Sequence, residues 1–195
     1  MSERDHHPDA QRWNRRYRDG SGASEPLRVL TENRHLLPDR GEALDLACGR
    51  GANALLLADQ GLQTHAWDIS EVAIAALREE AERRGLSLET EVRDVITRAP
   101  EPERFDVIVV GHFLERDLAP ALMAALRPGG LLFYQTFSRP SVDDSGPSNP
   151  AYRLAENELL KLFAPLRLRV YREEGVCGDT SRGFRNQAMY LGQKP

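Results

Sequence analysis

Between residues 42 and 137, apolar runs of strand length alternate with segments of helical spacing, joined by loops of a few residues. The strand-like runs fall at 43–47, 64–68, 88–92, 105–110 and 131–136, and the helical segments at 53–60, 71–84 and 117–127. This alternation restricts the chain to a doubly wound α/β sheet, with parallel strands and helices on both faces. The crossovers are then right-handed. Local signals agree with the pattern. Ser70 is placed to cap the 71–84 helix and Gly85 to close it, while Val72, Ala73, Ala76, Leu77 and Ala81 recur at helical spacing. Leu55 to Leu57 read as core.

The flanks are less regular. Residues 1–26 are polar, with Arg12, Arg15, Arg16 and Arg18 interleaved with Trp13 and Tyr17. Asp9 reads as an N-cap for a helix over 10–19 that ends at Gly20, and Gly20-Ser21-Gly22 reads as a joint. Leu27, Val29, Leu30, Leu36 and Leu37 suggest a second helix, stopped by Pro38. Residues 138–150 break the rhythm and have the length of a lid or binding loop. A helix at 155–163 and strands at 166–173 and 187–192 follow. The linker 174–186 is too short for a crossover helix, so the last two strands are expected to be antiparallel.

Composition removes several classes. With 195 residues, 41% of them hydrophobic, the chain can bury a core without a disulfide or metal staple, and one domain is the expectation. A formal net charge of −4 counts against a general nucleic-acid binder. No apolar run approaches ~18 residues and no signal peptide is visible, so a soluble cytoplasmic protein without membrane partners is expected. Cys48 and Cys177 make no disulfide framework, and neither they nor His6-His7 form a ligand cluster, so no metal is expected.

Chemistry concentrates at Leu44-Asp45-Leu46-Ala47-Cys48-Gly49-Arg50-Gly51-Ala52-Asn53-Ala54. Here a glycine pair follows a strand and opens a helix, which permits a tight turn and close backbone approach to a ligand. Gly49-x-Gly51-x-x-Ala54 fits the dinucleotide fingerprint, and Asp68 at the end of the next strand is placed for ribose hydroxyls. Asp45 opposes a nicotinamide cofactor, because a carboxylate so close would repel a pyrophosphate and attract a cationic ligand. Too few residues also remain for the separate substrate domain of most dehydrogenases. S-adenosylmethionine, with a sulfonium, an amine and no phosphate, meets these conditions.

The segment resembles the glycine-rich motif of class I S-adenosylmethionine-dependent methyltransferases. Asp68 resembles their ribose-binding acid, and Arg93-Asp94-Val95 their adenine-contacting site. Phe105-Asp106-Val107-Ile108-Val109 and Leu126-Arg127-Pro128-Gly129-Gly130 resemble their fourth strand and the turn before the fifth. Trp13-Asn14-x-x-Tyr17, Gly49-Arg50-Gly51-x-Asn53, Gln135-Thr136-Phe137, Asn149-Pro150, Leu154 and Glu158-Leu159-Leu160 further resemble the tellurite-resistance and thiopurine methyltransferase-like branch. Ala47 departs from that pattern, which more often has glycine there. The resemblance implies a sheet of seven strands with the last antiparallel, an N-terminal cap over 1–40, a cofactor half over 41–137 and a substrate side over 138–195. It also implies cofactor contacts from Asp45, Ala47, Cys48, Gly49, Gly51, Asn53, Asp68, Ile69, Asp94, Val95 and Gly111, with Trp13 and Tyr17 as a flap.

Ligands of open parallel sheets bind beyond the carboxyl ends of the strands. The acceptor therefore belongs near the fourth and fifth ends, where His112, Glu115, Arg116, Gln135 and Arg139 are candidates. Arg182 and Arg185 in the last linker are candidates for an anionic acceptor, so the catalytic set read here is His112, Arg182 and Arg185. Plainer roles stand beside these: Asp45 as a cap on the glycine turn, Asp94 as a turn residue, His112 as a satisfied polar group, Cys48 as a small buried residue, and 12–18 as a solvated helix face. The expectation is methyl transfer to a small molecule, including soft chalcogen acceptors (a thiol, or a selenium or tellurium oxyanion) that need little general-base help. The alternatives are an RNA or protein methyltransferase, a non-catalytic cofactor-binding module, and a small NAD-dependent oxidoreductase. Oligomeric state is not legible.

Overall fold

The computed structural model describes residues 8–20 and 25–195. His6-His7 and most of the Gly20-Ser21-Gly22 joint lie outside the described residues. Strands β1 (Glu42–Leu46), β2 (Gln63–Asp68), β3 (Glu89–Val92), β4 (Phe105–Gly111), β5 (Leu126–Phe137), β6 (Arg167–Glu173) and β7 (Gln187–Gln193) form one sheet in the order β3-β2-β1-β4-β5-β7-β6. The pairs from β3 through β5 are parallel, and β7 runs antiparallel to both β5 and β6. The strand order reverses between β1 and β4, which opens a crevice at their carboxyl ends.

Strand periodicity builds the two layers of core. In β4, Ile108 and Val110 enter one layer with Leu122, Phe163 and Tyr190, while Val107 and Val109 enter the other with Leu30, Leu57 and Phe133. A central parallel strand buried on both faces carries just such an uninterrupted apolar run. A smaller cluster of Ala54, Leu55, Ala66, Leu77 and Ala81 joins helices α3 (Ala52–Asp59) and α4 (Glu71–Arg84) to β2.

Several boundaries differ from the sequence expectation. Helix α1 (Pro8–Arg18) begins earlier, at a proline suited to the first turn, so Asp9 is not its N-cap and instead pairs with Arg12 at 3.0 Å. The second helix is only Arg28–Thr31 (α2), followed by a 3₁₀ turn at Arg34–Leu36. Asn33 leaves helical geometry there and turns its side-chain amide back onto the Val29 carbonyl. The 117–127 helix is a 3₁₀ turn at Arg116–Leu118 leading into α5 (Ala119–Ala125), because Leu126 is already extended and begins β5. Pro128-Gly129-Gly130 thus lies inside a long strand, beside a register shift between Phe105 and Val107. Helix α6 spans only Glu158–Leu162, since Asn157 is left-handed with φ 58°. No helix among the described residues is long and apolar enough to cross a membrane.

Candidate active site

The turn after β1 places three left-handed residues within five positions: Ala47 (φ 55°), Gly49 (φ 55°) and Gly51 (φ 75°). The first explains physically why a glycine suits that position, since a β-carbon disfavours this conformation. Gly51 is the N-cap of α3 and has no side chain to cap with. Asp45, reaching up from β1, takes that role. Its Oδ2 accepts from Ala54 N at 3.0 Å and its Oδ1 from Asn53 Nδ2 at 3.3 Å. Burial pushes the Asp45 carboxyl up to about 7, against the pull of those two bonds. Each oxygen keeps a second lone pair.

Asp68 ties β2 to the same turn. Its Oδ2 accepts from Gly49 N and its Oδ1 from Ser70 N, both at 2.8 Å. Burial raises its carboxyl to about 6, and the two backbone bonds oppose the shift. Ser70 Oγ caps α4 by accepting from Ala73 N at 3.2 Å, as its sequence position implies, and donates to Asn14 Oδ1 at 2.6 Å. Helix α1 is thereby docked. Asn14 Oδ1 also accepts from Val72 N at 3.4 Å, and Arg50 Nη2 donates to the Tyr17 carbonyl at 2.7 Å. Trp13 and Tyr17 stack at 5.8 Å, with Arg16 over the Trp13 ring. Tyr17 is buried against the glycine turn, and burial, with the nearby Asp68 charge, holds its phenol well above the usual range. Cys48 is half-buried, and burial followed by the charges of Asp45 and Asp68 keeps its thiol protonated.

Beyond β3, Asp94 accepts from Ile96 N at 3.0 Å and Thr97 Oγ at 2.8 Å, with Val95 buried beside it. Arg93, buried with its guanidinium 3.8 Å from the Trp67 ring centroid, holds that turn through the Arg98 and Ala99 carbonyls. Ile69 is half-buried at the rim between Asp68 and Ser70.

At the ends of β4 and β5, Gly111 lies so close to Leu27 that a β-carbon would stand 2.6 Å from it. His112 follows with φ 52°. Its ring is exposed, stacks on Phe137 at 4.9 Å, and faces Gln187 Oε1 through Nε2 at 3.2 Å. Lost hydration lowers its pKa more than the Gln187 bond raises it. The neighbouring arginines are differently engaged. Arg116 grips Glu158 at 2.6 Å and the carbonyls of Ala151 and Arg153. Arg185 donates to the carbonyls of Arg182, Asp179, Gly175 and Glu174. Arg139 reaches the Pro150 carbonyl at 3.4 Å. Glu115 caps the Arg116–Leu118 turn through Asp117 N at 3.3 Å. Arg182 is exposed, and its side chain makes no hydrogen bond or ion pair with the described residues.

Residues 43–130 match a family described as a methyltransferase domain, and they contain the glycine turn, Asp68 and the carboxyl ends of β1 and β4 that flank the crevice. This stretch is similar to class I S-adenosylmethionine-dependent methyltransferases, as its motifs lead one to expect. The chain is 29% identical over 119 residues to a ubiquinone biosynthesis O-methyltransferase of Coxiella burnetii, an alignment covering 58% of this chain and 51% of that one. The chain spans about half the length of the curated relatives it matches. A structure from work on the conversion of a disulfide bond into a thioacetal group during echinomycin biosynthesis superposes with TM-score 0.71 at 25% identity, covering 95% of this chain and 92% of that one. TehB from Haemophilus influenzae superposes with TM-score 0.70 at 24% identity, covering 94% and 67%.

The cradle suits S-adenosylmethionine. Gly49 and Gly51 give the turn its left-handed backbone, with the Tyr17 hydroxyl and the Leu77 side chain standing where their β-carbons would be, and two buried carboxylates offer acceptors without any phosphate-binding cation in the turn except Arg50, which is turned onto α1. Among the described residues, no group of three or more His, Cys, Asp or Glu side chains is placed to hold a metal ion. Three further residues order the 138–150 loop and the end of β4 and carry no local sequence signal. Arg153, buried, orders the 138–150 loop through the Pro147 and Ser138 carbonyls at 2.7 and 3.0 Å. Asn186, left-handed at φ 64°, binds Asp143, Ser145 and Val142 of the same loop. Gln187 joins His112 to Gln135.

Proposed function

We propose that the protein transfers the methyl group of S-adenosylmethionine to a small-molecule acceptor that arrives protonated, a hydroxyl or a thiol. The carrying observation is His112. It is an exposed imidazole at the carboxyl end of β4 whose Nδ1 makes no hydrogen bond with the described residues, and a neutral imidazole so placed can take a proton. When bound, the cofactor supplies a methyl group already activated by its sulfonium, so the protein contributes mainly position and electrostatics. Asp68 holds the ribose hydroxyls, Asp94 and Val95 meet the adenine, and the 47–51 backbone with Gly111 lines the floor. Asp45 and Asn53 stabilise that floor and face the cofactor's amine, with Trp13 and Tyr17 as cover.

The similar proteins bracket this acceptor range. One set is named as O-methyltransferases of ubiquinone biosynthesis, and one structure concerns the formation of a thioacetal from a disulfide. Arg182 supports a second reading, an oxyanion acceptor such as selenite or tellurite, because its guanidinium is not engaged by the described residues. An assay with labelled cofactor across catechols, thiols, selenite, tellurite, and small amines and acids separates the two. Transfer to catechols or thiols is expected. Transfer to oxyanions alone would favour the second reading, and no transfer to any acceptor would leave a cofactor-binding module.

A further inference from the structure

The polar chain beside His112 fixes more than its position. Val29 N is a backbone donor in the first turn of α2, where no helical partner exists, and Val29 is completely buried. It donates to Gln135 Oε1 at 2.8 Å. Because Val29 N can only donate, the oxygen end of the Gln135 amide must face it, and Nε2 must face the other way. Gln135 Nε2 donates to Gln187 Oε1 at 2.7 Å. The atom that Gln187 presents is therefore an oxygen, and this oxygen also faces His112 Nε2 at 3.2 Å. An amide oxygen accepts only, so His112 Nε2 carries a hydrogen. A neutral imidazole has one N–H, which leaves the lone pair on Nδ1. Nδ1 makes no hydrogen bond with the described residues. Reversing the Gln135 amide would leave the buried Val29 N–H without an acceptor, and reversing Gln187 alone would set its NH₂ against the Gln135 donor.

The ring is also held against rotation. It stacks on Phe137, and the His112 backbone N donates to the Gln135 carbonyl at 2.9 Å. The groups packed against it, Phe137, Gln135 and Gln187, are uncharged, and no charged group contributes to its lowered pKa.

We propose that Gln187 is a positioning residue: through the chain Val29–Gln135–Gln187 it holds His112 as the Nε2–H tautomer, so that Nδ1 accepts the proton of the methyl acceptor. This rests on the methyl-transfer reading above. The acceptor's O–H or S–H bond gives its proton to Nδ1, and the electron pair left on oxygen or sulfur forms the new bond to the methyl carbon as the methyl–sulfonium bond breaks, its electron pair staying on the sulfur that leaves in S-adenosylhomocysteine. The imidazolium keeps its Nε2–H donated to Gln187, and the exposed ring then passes the Nδ1 proton to water. Both protonation states use the same Gln187 bond, so nothing around the ring must rearrange during the step.

The test is long-range ¹H–¹⁵N NMR of the full-length protein labelled on histidine, with His112→Gln assigning the signal. The expected spectrum shows a protonated Nε2 and an unprotonated Nδ1. In Gln187→Leu the tautomers mix, and kcat for methyl transfer to catechol or thiophenol falls on the order of 10-fold, below the full loss of a general base. Affinity for S-adenosylhomocysteine should be unchanged. Gln187→Glu keeps an acceptor facing Nε2, so it restores the tautomer while moving the pH–rate profile to higher pH. An Nδ1–H tautomer in an active wild-type enzyme overturns the Gln187 assignment and leaves the methyl-transfer reading standing. So does a Gln187→Leu variant with unchanged tautomer and profile. The expected tautomer without transfer to any acceptor overturns the methyl-transfer reading, and with it the role of Nδ1.

Discussion

Tyr17 rests its hydroxyl against Gly49 so closely that a β-carbon on the glycine would stand 2.7 Å from the phenol oxygen. The N-terminal helix and the glycine turn are thus fitted to each other through one residue that has no side chain. In Gly49→Ala, the left-handed backbone (φ 55°) alone costs about 1–2 kcal/mol, and the methyl group also drives Tyr17 off the turn. The variant should melt at lower temperature and bind S-adenosylhomocysteine more weakly by calorimetry. Adding Tyr17→Ala removes the clash, so the double variant should lose less than the sum of the single losses. Strict additivity would show that the two residues do not press on each other.

Asp45 makes stability depend on pH in an unusual direction. Its carboxyl lies at about 7 in the fold against 3.8 ordinarily, because burial disfavours its charge. A raised native pKa contributes stability that is fully present below about pH 3.9 and is lost as pH rises through about 7. Asp68, at about 6, adds to the same trend in both wild type and variant. Asp45→Asn has no such titration, but it turns an NH₂ toward a donor, Ala54 N or Asn53 Nδ2, at a pH-independent cost of roughly 1–3 kcal/mol. The variant should be clearly less stable than wild type at pH 4.5 and should close the gap by pH 7.5 in urea titrations. Parallel stability curves would mean that Asp45 titrates normally.

Most of the sheet was legible because its signals are local. The apolar run of β4, the Ser70 cap and the Gly85 stop each act within a few residues, and all appear in the structure as read. The glycine turn was legible for the same reason. What escaped reading depends on partners far along the chain. Leu27 N is held by Asn53 Oδ1 across 26 residues and Val29 N by Gln135 Oε1 across 106, so a segment read as one helix is a short turn stapled from both sides. Arg116 and Arg185 read as available cations, yet their donors close on carbonyls that only the folded loops bring near. A guanidinium looks the same in a sequence whether it waits for a ligand or holds a loop.

That difference separates Arg185 from Arg182. Arg185 donates to four carbonyls between residues 174 and 182 and is largely buried, whereas Arg182 is exposed with an unengaged guanidinium. Arg185→Ala leaves several of those carbonyls without a protein donor and should lower stability by roughly 1–3 kcal/mol. Arg182→Ala should stay within about 0.5 kcal/mol of wild type. With an oxyanion acceptor, Arg182→Ala should raise KM and leave kcat unchanged; with catechol or a thiol, neither constant should move. Steady-state kinetics beside thermal melts distinguish these outcomes, and a change in KM for an uncharged acceptor would count against the reading of Arg182 as an anion contact.

Helix α1 is held at two points, and each can be loosened alone. Asn14 Oδ1 accepts from Ser70 Oγ and Val72 N, and Arg50 holds the Tyr17 carbonyl. Asn14→Ala removes the first clasp without touching the sheet, so its effect should appear as local opening of α1 rather than global unfolding. A loss of about 1 kcal/mol corresponds to roughly a 5-fold rise in the open population. Trypsin cleavage after Arg16 and Arg18 follows that population when reclosing is fast, so it should accelerate by a similar factor. The melting temperature should hardly change. Because Tyr17 rides on this helix against Gly49 and close to Asp68, S-adenosylhomocysteine should slow the cleavage in wild type and slow it less in the variant. Cleavage that is indifferent to the cofactor product in both proteins would separate α1 from the cofactor site.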